Sequence, residues 1–209
     1  MSQYRITQAR PPDLRLLASI EIAAARLLSG HAPADVLNET TSEDELDDAR
    51  RRGQLWVALA GDAPVGFAHV KVHEPTAAHL EEIDVHPDHA RRGIGTRLVA
   101  AILGWAVDAG YRAVTLTTFR DIPWNMRYYA RCGFAVVPTE ELSPALRWIV
   151  EDEARRGLDP RRRVVMRCVL GPRPELTCVE VGRGRSTRAR LISPTANCSR
   201  SSCASAIAS

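Results

Sequence analysis

Short apolar runs and helically spaced apolar residues divide the first 170 residues into elements. Residues 4–9 alternate polar and apolar side chains, which predicts a strand. Apolar residues then recur at helical spacing over 16–28, which predicts a helix. A second helix is predicted over 42–52, because Ser42 and Glu45 have the spacing of a capping box at its start.

Three apolar runs follow and predict an antiparallel meander. Runs 55–60 and 65–72 are separated by Gly-Asp-Ala-Pro at 61–64, a sequence typical of tight turns. The third run covers 78–85 and follows a Glu-Pro-Thr break. Successive strands joined by short turns pair in antiparallel fashion.

Helices and strands alternate in the rest of this region. One apolar helical face covers 93–109, and Gly110 ends that helix before a strand-like run at 113–119. The remaining predictions are a helix at 123–132, a strand at 134–137, a helix at 144–156 and a strand at 163–170. The order βααβββαβαβαβ predicts an α/β fold with a mixed sheet.

The composition indicates one globular domain. Of the 209 residues, 45% are hydrophobic and 25% are charged, as in ordinary globular proteins. The apolar runs are far shorter than the roughly 18 to 20 residues that span a bilayer, and the first residues lack an apolar signal core, so we expect a cytoplasmic protein without a membrane partner. We expect residues 1–170 to form the domain. Residues 171–209 are rich in Ser and Arg, and we expect a disordered tail or a shifted reading frame.

The basic charge belongs to the tail. The chain has a net charge of +3, but residues 171–209 hold six arginines and two glutamates, so residues 1–170 are close to neutral. Nucleic acid is therefore not an expected partner of the domain, and an arginine-rich nucleic-acid arm is the weaker alternative. The five cysteines contain no CxxC pair, and we expect Cys132 and Cys168 to be buried thiols rather than disulfide, metal or nucleophilic residues.

Residues 79–96 form the most specific motif in the sequence. A predicted strand is followed there by a turn and by a helix that starts with Gly-Ile-Gly. Exposed amides at 92–96, the helix dipole and two adjacent arginines would bind a phosphate or pyrophosphate. A Rossmann fingerprint would need a third small residue at position 98, but this chain has Leu98 there. A P-loop would need a Gly-Lys-Ser/Thr sequence, but the single lysine of the chain, Lys71, lies elsewhere. Both motifs are therefore excluded. The plainer alternative is a helix start with solvated arginines.

This turn and the segment Asn-Met-Arg-Tyr-Tyr-Ala-Arg-Cys-Gly-Phe at 125–134 together resemble the GCN5-related N-acetyltransferase (GNAT) superfamily over residues 4–169. The resemblance implies an α/β fold with a mixed, mostly antiparallel central sheet flanked by helices, acetyl-CoA as co-substrate and no metal. It also implies that a pyrophosphate is bound by Arg91, Arg92, Gly93, Ile94, Gly95 and Thr96. The chain departs from the family pattern at Ala90, where the family has Arg or Gln.

The resemblance assigns further contacts to acetyl-CoA. The pantetheine arm would add to the sheet like an extra strand, on the backbone of Ile83 and Val85. Asn125 and Tyr129 would line the thiol, with Tyr129 as the general acid that protonates the leaving sulfur. In the alternatives, Asn125 caps a helix and Tyr129 is a packing residue.

An attacking amine must also lose a proton to a base or through water. The candidates are His79, Glu81 and Glu82. Simple alternation puts His79, Glu81, Ile83 and Val85 on one face, unless a bulge shifts the pattern. We expect Glu81 to be the base, with a pKa raised by burial and with His79 as second choice; the alternative is a surface acid pair.

The predicted function is acetyl-CoA-dependent N-acetyl transfer to a primary amine, with a small-molecule amine as the expected partner. The amine would attack directly in a ternary complex, and a homodimer is left open. The resemblance places the acceptor pocket near 20–48 and 138–163, where the acidic stretch 39–48 would attract a cation or form a solvated face. The alternative function is a non-catalytic CoA-binding regulatory module, which Ala90 favours.

Overall fold

A computed structural model describes residues 3–171, which lie within one compact unit, Met1–Arg173. Within residues 3–171, seven strands form: β1 Tyr4–Gln8, β2 Leu55–Ala60, β3 Ala63–Glu74, β4 Ala77–Val85, β5 Ala113–Phe119, β6 Ala135–Val136 and β7 Arg163–Val169. The same part of the chain contains six α-helices: α1 Leu14–Ala25, α2 Ala34–Asn38, α3 Glu43–Arg51, α4 Ile94–Asp108, α5 Asn125–Arg131 and α6 Pro144–Arg155. Except for Gly171, the predicted tail lies outside the described residues.

The strands form one sheet in the order β1-β2-β3-β4-β5-β7-β6. Every neighbouring pair is antiparallel except β4 and β5, which are parallel because α4 crosses over between them. The predicted fold class is thus confirmed: a GNAT-like α/β fold with a mixed, mostly antiparallel sheet flanked by helices. Helix α2 was not predicted.

The two faces of the sheet have different coverings. On one face, α4 packs its apolar residues against the middle strands, and part of α5 joins this core. On the other face, α1 and α3 cover β2 and β3, while α6 packs against β7. The central strands on this second face carry polar side chains between α1 and α6. We call this second face the acceptor face.

Several local predictions are confirmed. The Ser42 hydroxyl accepts a hydrogen bond from the backbone N–H of Glu45 at 3.3 Å and so caps α3. Cys168 is a buried free thiol, as predicted, whereas Cys132 is a free thiol that is only half-buried; both pack against the α4 core. Burial raises the pKa of the Cys132 thiol, which makes it a poor nucleophile.

A β-bulge at Glu81 overturns the predicted alternation of β4. His69 of β3 pairs with Glu82, whereas the next residue, Val70, pairs with Leu80, so Glu81 is the extra residue. After the bulge, Ile83 and Val85 pack against the α4 core. The expectation that these two residues share a face with His79 is therefore wrong, because the inserted residue reverses the alternation.

Glu82 and Asp84 consequently lie on the acceptor face. Asp84 is the ladder partner of Phe67, which packs with α1 and α3. Direct partners in an antiparallel ladder project to the same side of the sheet. Two carboxyl groups therefore lie beside the end of β4 that leads to the glycine turn.

Candidate active site

A wedge opens in the middle of the sheet between β4 and β5. The two strands pair only over Ala77–Leu80 and Ala113–Leu116. Beyond this point β4 keeps its pairing with β3, and β5 keeps its pairing with β7. The edge of β4 that carries Ile83 and Val85 therefore has no partner strand in the described structure, so it is available to an extended ligand.

The chain turns sharply where the wedge meets α4. Arg91 has φ of 59° and Gly93 has φ of 73°, so two of three consecutive residues are left-handed. Helix α4 then begins at Ile94, with Gly93 as its N-cap. Successive N–H groups in such a turn, together with the positive end of a 15-residue helix, form an environment that suits an anion.

The guanidinium of Arg92 fixes this turn to β1. It donates to the hydroxyl of Tyr4 at 2.7 Å and to the carbonyl of Asp88 at 3.2 Å. The same hydroxyl contacts Nδ1 of His89 at 3.1 Å. Arg92 therefore stabilises the backbone conformation of the turn, in addition to any charge that it presents to a ligand.

Helix α5 brings two tyrosines to the wedge. The rings of Tyr128 and Tyr129 lie 5.0 Å apart, and Tyr129 packs edge-on against Phe134 at 6.0 Å. Burial raises the pKa of the Tyr129 phenol, and the adjacent Tyr128 adds to this effect. The phenol therefore keeps its proton at neutral pH, as a general acid must.

Asn125 is the first residue of α5, and Trp124 is the residue that precedes the helix as its cap position. The backbone N–H of Asn125 donates to the carbonyl of Ile122 at 3.2 Å. The alternative in which Asn125 caps the helix is therefore wrong.

Glu82 and Asp84 form a coupled carboxyl pair. Burial, with repulsion from nearby carboxylates, raises the pKa of Glu82 to about 7. Burial and the repulsion of Glu82 also raise the pKa of Asp84 well above its usual range. Repulsion between the two carboxyls disfavours the state in which both are ionised, so they titrate as a pair.

This carboxyl pair lies within electrostatic reach of Tyr129. Like burial, the negative charges of Glu82 and Asp84 raise the pKa of the Tyr129 phenol. Tyr129 comes from the α4 side of the sheet, whereas the carboxyls project from the acceptor face. A phenol that keeps its proton and a pair of carboxyls therefore approach the wedge from opposite sides.

Glu81 has a different environment from the one predicted. Its carboxylate is 3.1 Å from Nζ of Lys71 and 3.8 Å from Nε2 of His73. Burial acts to raise the pKa of Glu81, but the attraction of the Lys71 ammonium outweighs it and the pKa is lowered. The expected raised pKa of Glu81 is wrong, because the bulge directs this residue to Lys71.

His79 is enclosed on the acceptor face. Its Nδ1 contacts the hydroxyl of Thr115 at 2.9 Å, and its exposed fraction is 4%. Burial lowers the pKa of His79 to about 4, so the imidazole is neutral at physiological pH. Its ring packs edge-on to His73 at 5.9 Å, which links it to the cluster around Glu81.

A buried ion pair borders the β5 side of the wedge. Arg163 of β7 donates to both carboxylate oxygens of Glu153, at 2.6 and 2.9 Å, and to the hydroxyl of Thr117 at 2.9 Å. That hydroxyl also donates to Glu153. The network joins α6, β5 and β7, and sequence patterns gave no signal for it because its members are 10 to 46 positions apart.

Comparison with known proteins agrees with this geometry. Residues 23–134, more than half of the chain, match the acetyltransferase (GNAT) family. The chain belongs to the GNAT acetyltransferase family. The family assigns acetyl-CoA as the co-substrate, which the sequence predicted. In this GNAT chain the matched region runs from the last turn of α1 to the residue before β6, and so contains the wedge, the turn and both tyrosines.

Two curated relatives match shorter parts of this GNAT chain. A mycothiol acetyltransferase of Thermobispora bispora is 37% identical over 73 residues, which are 35% of this chain and 22% of that protein. An uncharacterized N-acetyltransferase of Bacillus subtilis, YvbK, is 25% identical over 95 residues, 46% of this chain and 61% of that protein. The matched segments thus span about a fifth of the mycothiol acetyltransferase and about three fifths of YvbK.

Solved structures share the fold. The PaiA N-acetyltransferase of Thermoplasma acidophilum, solved in complex with coenzyme A, has a TM-score of 0.63 and 17% identity, with 81% of this chain and 99% of that chain covered. The N-acetylglutamate synthase of Neisseria gonorrhoeae has a TM-score of 0.62 and 18% identity, with 82% of this chain and 36% of that chain covered.

Two further features bear on the expected chemistry. Within residues 3–171, no three His, Cys, Asp or Glu side chains are grouped so as to hold a metal ion. No helix in this part of the chain is both long enough and apolar enough to cross a membrane.

Proposed function

We propose that this chain is an N-acetyltransferase that moves the acetyl group of acetyl-CoA directly to a primary amine of a small molecule. The observation that carries the proposal is the wedge between β4 and β5, which ends at the glycine turn of α4. A pantetheine arm would pair with the free edge of β4 at Ile83 and Val85, and the pyrophosphate would bind the amides from Arg91 to Thr96.

Glu82, rather than Glu81, is the proposed general base. Glu81 is held as a carboxylate by Lys71, whereas Glu82 has a pKa near 7 and faces the acceptor side. A base works best when its pKa lies near the working pH.

The transfer then needs two proton movements on opposite sides of the wedge. The amine nitrogen attacks the thioester carbon, and Glu82 takes a proton from that nitrogen. As the tetrahedral intermediate collapses, the C–S bond breaks and Tyr129 gives its proton to the sulfur. Solvent returns a proton to Tyr129 and removes one from Glu82, so the enzyme is unchanged and the products are an amide and CoA.

The test is calorimetric titration of the full chain with acetyl-CoA, followed by a thiol-release assay over a panel of primary amines. Micromolar binding with thiol release for one class of amines supports the proposal. Failure to bind acetyl-CoA would overturn it. Thiol release that occurs only with peptide N-termini or protein lysines would overturn the small-molecule part alone.

Ala90 favours a second candidate, a regulatory module that binds CoA without transferring the acetyl group. It stands in the turn before Arg91, where it supplies no side-chain donor, and its N–H bonds to the carbonyl of Pro87 at 3.0 Å. Tight binding of acetyl-CoA without thiol release from any amine would support this candidate. Ala90→Arg should then tighten binding without producing turnover.

A further inference from the structure

The glycine turn before α4 has a backbone conformation that needs support from outside the turn. Arg91 has a φ of 59°, in the left-handed region that is disfavoured for any residue with a β-carbon. A residue keeps such a conformation only where its surroundings fix the backbone. Ala90, the residue before it, has only a methyl group and offers no side-chain hydrogen bond. Side chains from elsewhere in the fold therefore have to hold the turn.

Tyr4 reaches this turn from the first strand of the sheet. It begins β1, pairs with Ala60 of β2 and is 6% exposed, with its ring in the α4 core. Its hydroxyl accepts a hydrogen bond from Arg92, a residue 88 positions away in the sequence, at 2.7 Å. Packing fixes the ring, and the ring in turn fixes the hydroxyl beside the turn. The arginine is thus bonded to a rigid part of the sheet.

His89 extends this contact into a chain of hydrogen bonds. Its Nδ1 lies 3.1 Å from the hydroxyl of Tyr4, and the two rings meet edge-on with their centroids 5.8 Å apart. A tyrosine hydroxyl has one hydrogen to donate, and this hydroxyl already accepts the hydrogen of Arg92. Its own hydrogen is therefore available to Nδ1 of His89. The chain runs from Arg92 through Tyr4 to His89.

The residues between β4 and the turn hold both ends of this chain. His89 ends a short 3-10 helix, Pro87–His89, and its backbone N–H donates to the carbonyl of His86 at 2.8 Å. The guanidinium of Arg92 also donates to the carbonyl of Asp88 at 3.2 Å. The two bonds of the guanidinium therefore join β1 to the segment before the turn, and they restrict the backbone that lies between Asp88 and Arg92.

We propose that Tyr4 and His89 are positioning residues for the co-substrate: through Arg92 they hold the glycine turn in the conformation whose amides bind the pyrophosphate. The proposal rests on the function proposed above, which places the pyrophosphate on this turn. Amides that are already ordered bind an anion more tightly than amides that must first be ordered. Loss of either side chain should therefore weaken the binding of acetyl-CoA, although neither residue needs to touch it.

The test is a double-substitution cycle on the full chain, with the Kd for acetyl-CoA measured by calorimetry. Tyr4→Phe keeps the buried ring and removes only the hydroxyl, and it should raise the Kd about tenfold. In an Arg92→Ala background the same change should alter the Kd less than about twofold, because the group through which it acts is gone. A general loss of stability would instead weaken binding in both backgrounds.

Two substitutions of His89 test the other end of the chain without altering the core. His89→Ala should raise the Kd about fivefold. His89→Asn should stay within about twofold of the wild type, because its side-chain oxygen is the same number of bonds from the backbone as Nδ1 and accepts the same hydrogen. Equal Kd values for these two variants would overturn the inference.

Tyr111→Phe is the matched control, since Tyr111 packs against Trp105 and its substitution should leave the Kd unchanged. Melting temperatures show whether each variant is folded. An unchanged Kd in folded Tyr4→Phe, or an equal loss in both backgrounds, would overturn the inference and leave the proposed function intact, because the wild type would still bind acetyl-CoA. Failure of the wild type to bind acetyl-CoA would overturn both.

Discussion

The hydroxyl oxygen of Tyr128 lies 2.7 Å from the position that a β-carbon on Gly95 would occupy. Helix α5 thus packs so closely against the first turn of α4 that residue 95 has no room for a side chain. The contact joins the two cofactor motifs of the chain, which are separated by about 30 positions in the sequence. Glycine is therefore needed at position 95 because a side chain has no space there. At position 93 it is needed because the backbone is left-handed.

Gly95→Ala should therefore weaken acetyl-CoA binding about tenfold, because the added methyl group displaces Tyr128 or the start of α4. Adding Tyr128→Phe removes the clashing oxygen and should restore the Kd to within about twofold. Calorimetric titration measures both effects. Gly93→Ala is the matched control, since its φ of 73° strains any other residue while its β-carbon would contact nothing within 4 Å. Rescue of Gly93→Ala by Tyr128→Phe, or no rescue of Gly95→Ala, would contradict this account.

Tyr129→Phe should lower kcat about a hundredfold and change the Kd for acetyl-CoA by less than about twofold, because it removes only the proton donated to the leaving sulfur. Steady-state kinetics and calorimetry together separate these effects. Tyr111→Phe is the control, since Tyr111 packs against Trp105 at 5.4 Å and not at the wedge. Unchanged kcat in Tyr129→Phe would show that another group or solvent protonates the sulfur.

The pH dependence of turnover should identify the base. Since Glu82 must be ionised and its pKa is about 7, kcat/KM should rise with pH and level off above an apparent pKa near 7. Glu82→Gln should lower kcat about a hundredfold and remove this inflection. Glu81→Gln should cost less than about fivefold and keep it. The opposite pattern would return the role to Glu81.

Glu82→Gln should also change stability in a direction that separates lost catalysis from lost folding. A carboxyl whose pKa is raised from 4.5 to about 7 by folding destabilises the native state as pH rises through that range. The substitution should therefore raise the melting temperature at pH 8 more than at pH 5. A lower melting temperature at pH 8 would mean that the carboxyl is needed for folding.

His79 should make the fold sensitive to acid. Its pKa falls from 6.5 in the unfolded chain to about 4 in the folded one, so the unfolded state binds the proton more readily. The neutral imidazole of His79 therefore stabilises the fold above pH 6.5, and this contribution is lost as the pH falls towards 4. The free energy of unfolding should be about 2 kcal/mol lower at pH 5 than at pH 7.5. Urea titrations at both values measure it. His79→Gln should reduce the difference, and an identical pH dependence in this variant would contradict the assignment.

Periodicity predicted most elements to within two or three residues, because long apolar faces and Gly or Pro boundaries mark them clearly. It missed α2, a five-residue helix, Ala34–Asn38, which is too short to show a repeat. It also could not place the bulge at Glu81. An extra residue in a strand leaves no local signal, since it is defined by the register with the partner strand.

The electrostatics of the site were harder to predict than its position. The turn and Tyr129 follow from motifs, but the pKa of Glu81 depends on Lys71, which comes from another strand. The raised pKa of Glu82 likewise depends in part on Glu21, which belongs to α1 and lies near β4 only because α1 packs on that strand. Interactions of this kind join distant parts of the chain and become visible only in the folded structure.

The two ion pairs of Lys71 protect this side chain from acetylation by the protein's own co-substrate. Lys71 is the single lysine among the 28 lysine and arginine residues of the sequence. Its ammonium lies 2.9 Å from Glu45 and 3.1 Å from Glu81, which keeps it protonated and without a free lone pair. An enzyme that binds a reactive thioester thus carries almost no side-chain amine that the thioester could acylate. Intact mass should show no added acetyl group on a side chain after prolonged incubation with acetyl-CoA, whereas Glu45→Gln combined with Glu81→Gln should make Lys71 reactive.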